Sequence, residues 1–167
     1  KLKIAESTGY KKHLNTHDVI RIDFSRMPRN CNSYDKYIER IERILIQDLM
    51  EAYPKADIQE EDAVWDSLDL VYERYGCQRF IFVFDEWDCI FHKDFITDED
   101  KKKYISFLSS LLKDKAYVLL SYMTGILPIA KYSSGSELNM FAVYTMVSEE
   151  KFSYAFGFTE TEVDMLY

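Results

Sequence analysis

Glycine and proline are scarce, five and three in 167 residues, and no Gly/Ser/Pro-rich linker or low-complexity tract interrupts the chain. That scarcity excludes collagen-like and wholly disordered chains and predicts long regular elements with few turns. Cysteine is scarce too. Cys31, Cys77 and Cys89 form an odd set without paired spacing, which speaks against a disulfide framework and for the reduced thiols of a cytoplasmic protein. No apolar run approaches the roughly 20 residues of a membrane-spanning helix, and the first five residues have no signal-peptide core, so no membrane partner is expected. Basic residues are outnumbered 21 to 29, a formal net charge of −8, and such a field repels nucleic acid unless a local basic patch overrides it. What is abundant is apolar and aromatic: 47% hydrophobic side chains, with 13 Tyr and 11 Phe, supply the core of one domain. The first residue is Lys1 rather than Met, from which we expect a chain cut from a longer one.

Residues 18–25 (DVIRIDFS) place Val19, Ile20, Ile22 and Phe24 in a short β-branched and aromatic run closed by Pro28, a strand. From Ser33, Tyr34, Tyr37, Ile38, Ile41, Ile44, Leu45 and Leu49 recur at helical spacing, and Tyr53-Pro54 ends that helix. A second helix after Ile58 has Val64, Leu68, Val71 and Tyr75 on one face and Gly76 as its C-terminal cap. Residues 80–84 (FIFVF) are apolar on both faces, the pattern of a central strand in a parallel sheet covered by helices, and they stop abruptly at Asp85-Glu86. Thr97 and the acidic residues 98–100 open a helix with Tyr104, Phe107, Leu108, Leu111 and Leu112 buried. Strands are expected over 116–123, ending at Thr124-Gly125, and over 140–147, and the Thr159-Glu-Thr-Glu162 capping box opens a last helix. The order β-α-α-β-α-β-loop-β-α predicts a doubly wound α/β fold with a mostly parallel sheet, whose ligands sit beyond the carboxyl ends of the strands.

Two of those strand ends carry chemistry. An acidic residue terminating a buried strand, here Asp85, suits the water shell of Mg²⁺, a hard dication that wants oxygen ligands, and an adjacent Glu86 suits orienting an attacking water. Thr124 would lie beside Asp85 if its strand neighbours that of Asp85, where a hydroxyl can contact a phosphate or that water. Each also has a plain structural role, the carboxylates as the point where a buried strand regains solvent and the threonine as a turn hydroxyl.

Residues 80–88 (FIFVFDEWD), 122–132 (YMTGILPIAKY), 136–141 (SELNMF) and 156–159 (FGFT) resemble a bacterial family of predicted AAA-ATPase-like P-loop proteins, and the similarity runs from the Asp18 strand to Val163. The resemblance implies that Asp85 and Glu86 are the Walker B pair and that Thr124 takes the sensor position, with ATP and Mg²⁺ as ligands. It implies a partial ATPase domain over residues 1–158 and the start of a truncated helical lid over 159–167. The departure from the family is large. No Gly-x-x-x-x-Gly-Lys-[Ser/Thr] occurs, Gly9, Gly76, Gly125, Gly135 and Gly157 being isolated, so the first strand and phosphate loop of the P-loop core are missing. No arginine follows Arg79 to serve as a finger.

Other candidates are weaker. His13 and His17 have helical ligand spacing in a loop-like context; Cys89 and His92, with Cys77, lack a fourth zinc ligand. Glu99-Asp-Lys101 and Glu149-Glu-Lys151 have a nuclease-like Glu-x-Lys spacing but sit near helix starts, and 132–135 (YSSG) is merely polar. The expectation is thus an AAA-like ATP-hydrolysing domain that lacks its phosphate loop and is inactive alone, with nucleotide and a protein partner or second copy as its binding partners. The alternative is a non-catalytic protein-interaction module on the same scaffold, using Trp87 and exposed tyrosines.

Overall fold

The computed structural model describes residues 3–129, 137–145 and 160–165. Along the chain come α1 (Tyr10–His13), β1 (Asp18–Asp23), α2 (Tyr34–Ala52), α3 (Val64–Arg74), β2 (Phe80–Asp85), α4 (Asp98–Leu112), β3 (Val118–Met123) and α5 (Glu160–Asp164), with short 3₁₀ turns between some of them. The three strands form one parallel sheet in the order β1-β2-β3. The chain is therefore an α/β protein.

The helices begin and end where local chemistry dictates. Ser33 accepts the Lys36 N–H at the start of α2, and Tyr53 before Pro54 closes it. Gly76, at φ +68°, follows the end of α3 in the left-handed conformation, and the Cys77 N–H reaches back to the Tyr72 carbonyl at 2.9 Å. Thr97 and Asp100 form a reciprocal capping box at the start of α4.

Sheet and helices meet through aromatic rings. Phe24, Phe80, Phe82 and Phe84 are fully buried, and edge-to-face contacts join Phe24 to Phe84 (5.3 Å), Phe82 to Phe84 (5.8 Å) and Phe24 to Tyr104 (5.7 Å). The buried tyrosines keep their hydroxyls bonded. Tyr37 donates to the Phe24 carbonyl, Tyr104 to that of Trp87 and Tyr117 to that of Leu111, each at 2.7 Å. Burial pushes all three phenols far above their ordinary range, so they remain neutral donors.

The sheet departs from the sequence expectation in its covering. Phe80, Phe82 and Phe84 are buried while Ile81, Val83 and Asp85 between them are half-exposed. Register puts Val19 and Arg21 of β1 beside Ile81 and Val83, and Leu120 and Tyr122 of β3 on their other side. Val19, Leu120 and Tyr122 are about half exposed. The cause is topological. Right-handed crossovers between strands added in one direction place every connecting helix on the same face. Among the described residues the other face is uncovered, and the second layer of a doubly wound fold is not among them.

The strand expected over 140–147 is also corrected. Residues 141–145 are irregular, and Met140, Val143 and Tyr144 are exposed. A β-branched, aromatic run becomes a strand only where a neighbouring ladder takes up its backbone groups. Residues 146–147, the YSSG and Glu149–Lys151 motifs, the FGFT motif and the Thr159 cap fall outside the described residues. Among the described residues, no helix is long and apolar enough to cross a membrane.

Candidate functional site

β2 and β3 are hydrogen-bonded neighbours, and their carboxyl ends bring the predicted residues together. The Thr124 N–H donates to the Phe84 carbonyl at 2.8 Å, continuing the ladder one step past β3, and the Trp87 N–H donates to the Thr124 carbonyl at 3.1 Å. This lacing sets the Thr124 hydroxyl on Asp85, donating to Oδ1 at 2.5 Å. The Asp85 side chain is 44% exposed, so its remaining lone pairs face solvent at the end of the uncovered sheet face.

Glu86 is exposed and adopts φ +53°, a left-handed conformation that costs a non-glycine residue free energy and that clusters at functional positions. The turn it makes ends the strand at Asp85 and sends Trp87 back into the core, 3% exposed. Burial removes Trp87 from the surface on which the interaction-module alternative had placed it. Its backbone carbonyl accepts the Cys89 N–H at 2.9 Å, and the Glu86 carboxylate makes no hydrogen bond or ion pair among the described residues.

Two further groups border this tip. Arg21, on β1, approaches Asp85 Oδ2 at 3.8 Å with its side chain 65% exposed, a long solvated pair of little energetic weight. Asp23, the register partner of Asp85, is committed instead to its own loop. Its carboxylate accepts the Ser25 hydroxyl (2.6 Å) and N–H (3.0 Å) and the Arg26 Nε–H (3.1 Å). The Ser25 hydroxyl bond, helped by the Arg26 charge, holds its carboxyl below the ordinary value.

The residue that sequence reasoning passed over is Asp88. It is buried at 1% exposure, and its Oδ2 accepts the Ile126 and Leu127 N–H groups at 3.1 and 2.8 Å. A buried carboxylate bonded to two backbone amides holds the loop after Thr124 against the loop after Glu86. Gly125 completes the clamp: a Cβ there would lie 2.4 Å from the Trp87 ring and 2.5 Å from Asp88 Oδ1. The signal was available as an acidic residue three positions beyond Asp85 and a glycine directly after Thr124.

The remaining candidates do not gather. His92 lies 3.8 Å from Asp88, Cys89 is half-buried in the 3₁₀ turn, and Cys77 is exposed. Among the described residues no three His, Cys, Asp or Glu side chains are placed to hold a metal together. His13 and His17 are exposed and hydrogen-bond each other at 2.9 Å. Glu99 pairs with Lys103 at 3.4 Å on the surface of α4. In comparisons with known proteins, no family model, no curated protein and no solved structure matches the chain.

Proposed function

We propose that this chain is the strand-tip part of an AAA-like ATP-binding and ATP-hydrolysing domain, completed by a phosphate-binding loop that these 167 residues do not contain. The observation that carries this reading is the convergence, at the carboxyl ends of two adjacent parallel strands, of the Asp85 carboxylate and the Thr124 hydroxyl, with Glu86 beside them in a left-handed turn. Asp85 suits a Mg²⁺ ion held through its water shell, because its carboxylate is half-exposed and has acceptor capacity left after the Thr124 bond. When bound, Mg²⁺ would neutralise charge on the phosphates. The Glu86 carboxylate, free of partners among the described residues, would accept a proton from the attacking water, and Thr124 would orient that water or the terminal phosphate. Asp88 and Gly125 hold the two loops so that Asp85 and Thr124 stay in contact.

Two features leave room for the missing parts. β3 is an edge strand of the described sheet, and among the described residues the face carrying Val19, Ile81, Val83, Leu120 and Tyr122 is uncovered. One added strand and one added helix would bury both. The test is nucleotide binding measured by calorimetry with MgATP, for this chain and for the same chain extended upstream through a Gly-rich loop ending in Lys-Ser or Lys-Thr. The extended protein should bind tightly, and the short chain should show no MgATP binding that depends on Asp85. Tight MgATP binding by the short chain that Asp85→Asn abolishes would overturn the reading.

The uncovered apolar face favours the second reading, a non-catalytic interaction module. It is distinguished by an upstream sequence without a phosphate loop and by a protein partner that protects Leu120 and Tyr122 from solvent.

A further inference from the structure

The loop that follows β1 and the first three turns of α2 enclose a groove of about 310 Å³ lined by Arg29, Lys36, Arg40 and Arg43, with Glu39 as its only carboxylate. Four cations against one carboxylate leave a local excess of three positive charges on a chain whose formal net charge is −8. None of the four is ion-paired among the described residues. The Lys36 ammonium donates to the Asn32 side-chain carbonyl (2.9 Å) and the Arg40 guanidinium to the Arg26 backbone carbonyl (3.2 Å), while the guanidinium groups of Arg29 and Arg43 make no hydrogen bond among the described residues. Such an excess of like charge is a standing cost that a bound anion relieves.

We propose that this groove binds a compact oligophosphate, two or more linked phosphate groups, through Arg29, Lys36, Arg40 and Arg43. Three arginines offer forked N–H donors that match phosphate oxygens, and Lys36 adds a point charge. The charge pattern sets the size of the ligand. Across Glu39 and Arg43 lies a second groove, about 450 Å³, lined by Glu42, Glu60, Glu61 and Asp62. A nucleic-acid strand running along α2 would pass from the basic groove onto this acidic one and be repelled, whereas a short anion fits wholly on the basic side. Desolvation, with the nearby Glu39 charge, raises the Glu42 carboxyl beside it above its ordinary value. The groove lies on the helix side of the sheet and shares no residue with the Asp85–Thr124 tip, so it does not depend on the ATPase reading.

The test uses this chain without Mg²⁺ and at low salt, titrated by calorimetry with sodium tripolyphosphate, ATP and AMP. Tripolyphosphate and ATP should bind with similar affinity and AMP much more weakly, since linked phosphates are what the groove reads. Arg29→Ala with Arg43→Ala removes two exposed cations whose side chains make no hydrogen bond or ion pair among the described residues, so folding should be intact by melting temperature. It should weaken tripolyphosphate about tenfold or more, two forked donor groups being lost. Lys11→Ala with Lys12→Ala, an equal loss of charge on α1, and Asp85→Asn at the strand tip should leave binding unchanged. Equal binding by the Arg29/Arg43 variant, no binding at millimolar tripolyphosphate, or tighter binding of a single-stranded oligonucleotide than of tripolyphosphate would each overturn the proposal.

Discussion

At the scale of single residues, Asp88 and Gly125 hold the contact between the two strand tips together with the backbone bonds that lace Thr124 to Phe84 and Trp87. Gly125 sits where any side chain would drive into the Trp87 ring and the Asp88 carboxylate. Its φ is not left-handed, so the requirement is one of space. Gly125→Ala should therefore cost about 1 to 3 kcal/mol, the range for overpacking a close-fitting site. Thermal or urea unfolding checks this, and an unchanged midpoint would mean that the clamp is looser than the distances imply. Asp85, Glu86 and Thr124 were legible in the sequence because polar groups ending apolar runs mark strand tips. Asp88 left a signal that does not settle its role, because a carboxylate after a strand looks the same whether it faces solvent or two buried amides. Trp87 was ambiguous for the same reason, and it is the left-handed turn at Glu86 that buries it.

At the scale of elements, capping chemistry makes α4 the most predictable helix. Asp100 accepts both the Thr97 N–H (3.0 Å) and the Thr97 hydroxyl (2.7 Å), while the Thr97 hydroxyl oxygen accepts the Asp100 N–H (3.2 Å). The Thr97 bonds, backbone first, hold the Asp100 carboxyl below its ordinary value of 3.8. A carboxyl depressed in the folded state stabilises the protein fully above its unfolded value and loses that contribution as pH falls through the lower folded value. Thr97→Ala should thus cost about 1 kcal/mol at neutral pH, as for other threonine caps, and the gap from wild type should narrow below pH 3.8. Unfolding midpoints across an acid series measure it, and a gap independent of pH would separate the cap from the Asp100 charge. Element positions were largely legible: β1, α2, α3, β2, α4 and β3 lie within a few residues of where periodicity and caps put them. The run over 140–147 misled because side-chain type reports suitability for a strand and says nothing of whether a partner strand is there to receive it.

At the scale of the molecule, the one-sided covering of the sheet ties fold to function. The sequence pattern of β2, apolar at every position, anticipated burial on both faces. The described residues bury one, because the order β1-β2-β3 sends every crossover to the same side. The open face and the free edge of β3 both adjoin the tip where Asp85, Glu86 and Thr124 lie, the place at which a phosphate loop on an added strand would meet them. Glu86 is the sharpest probe of that account, since it is exposed and makes no bond that its replacement would break. The decisive measurement is steady-state ATP hydrolysis and ATP binding by the upstream-extended protein carrying Glu86→Gln. The account predicts retained binding with turnover reduced by about a hundredfold or more, the loss of a general base. Turnover equal to that of the extended wild type would contradict it.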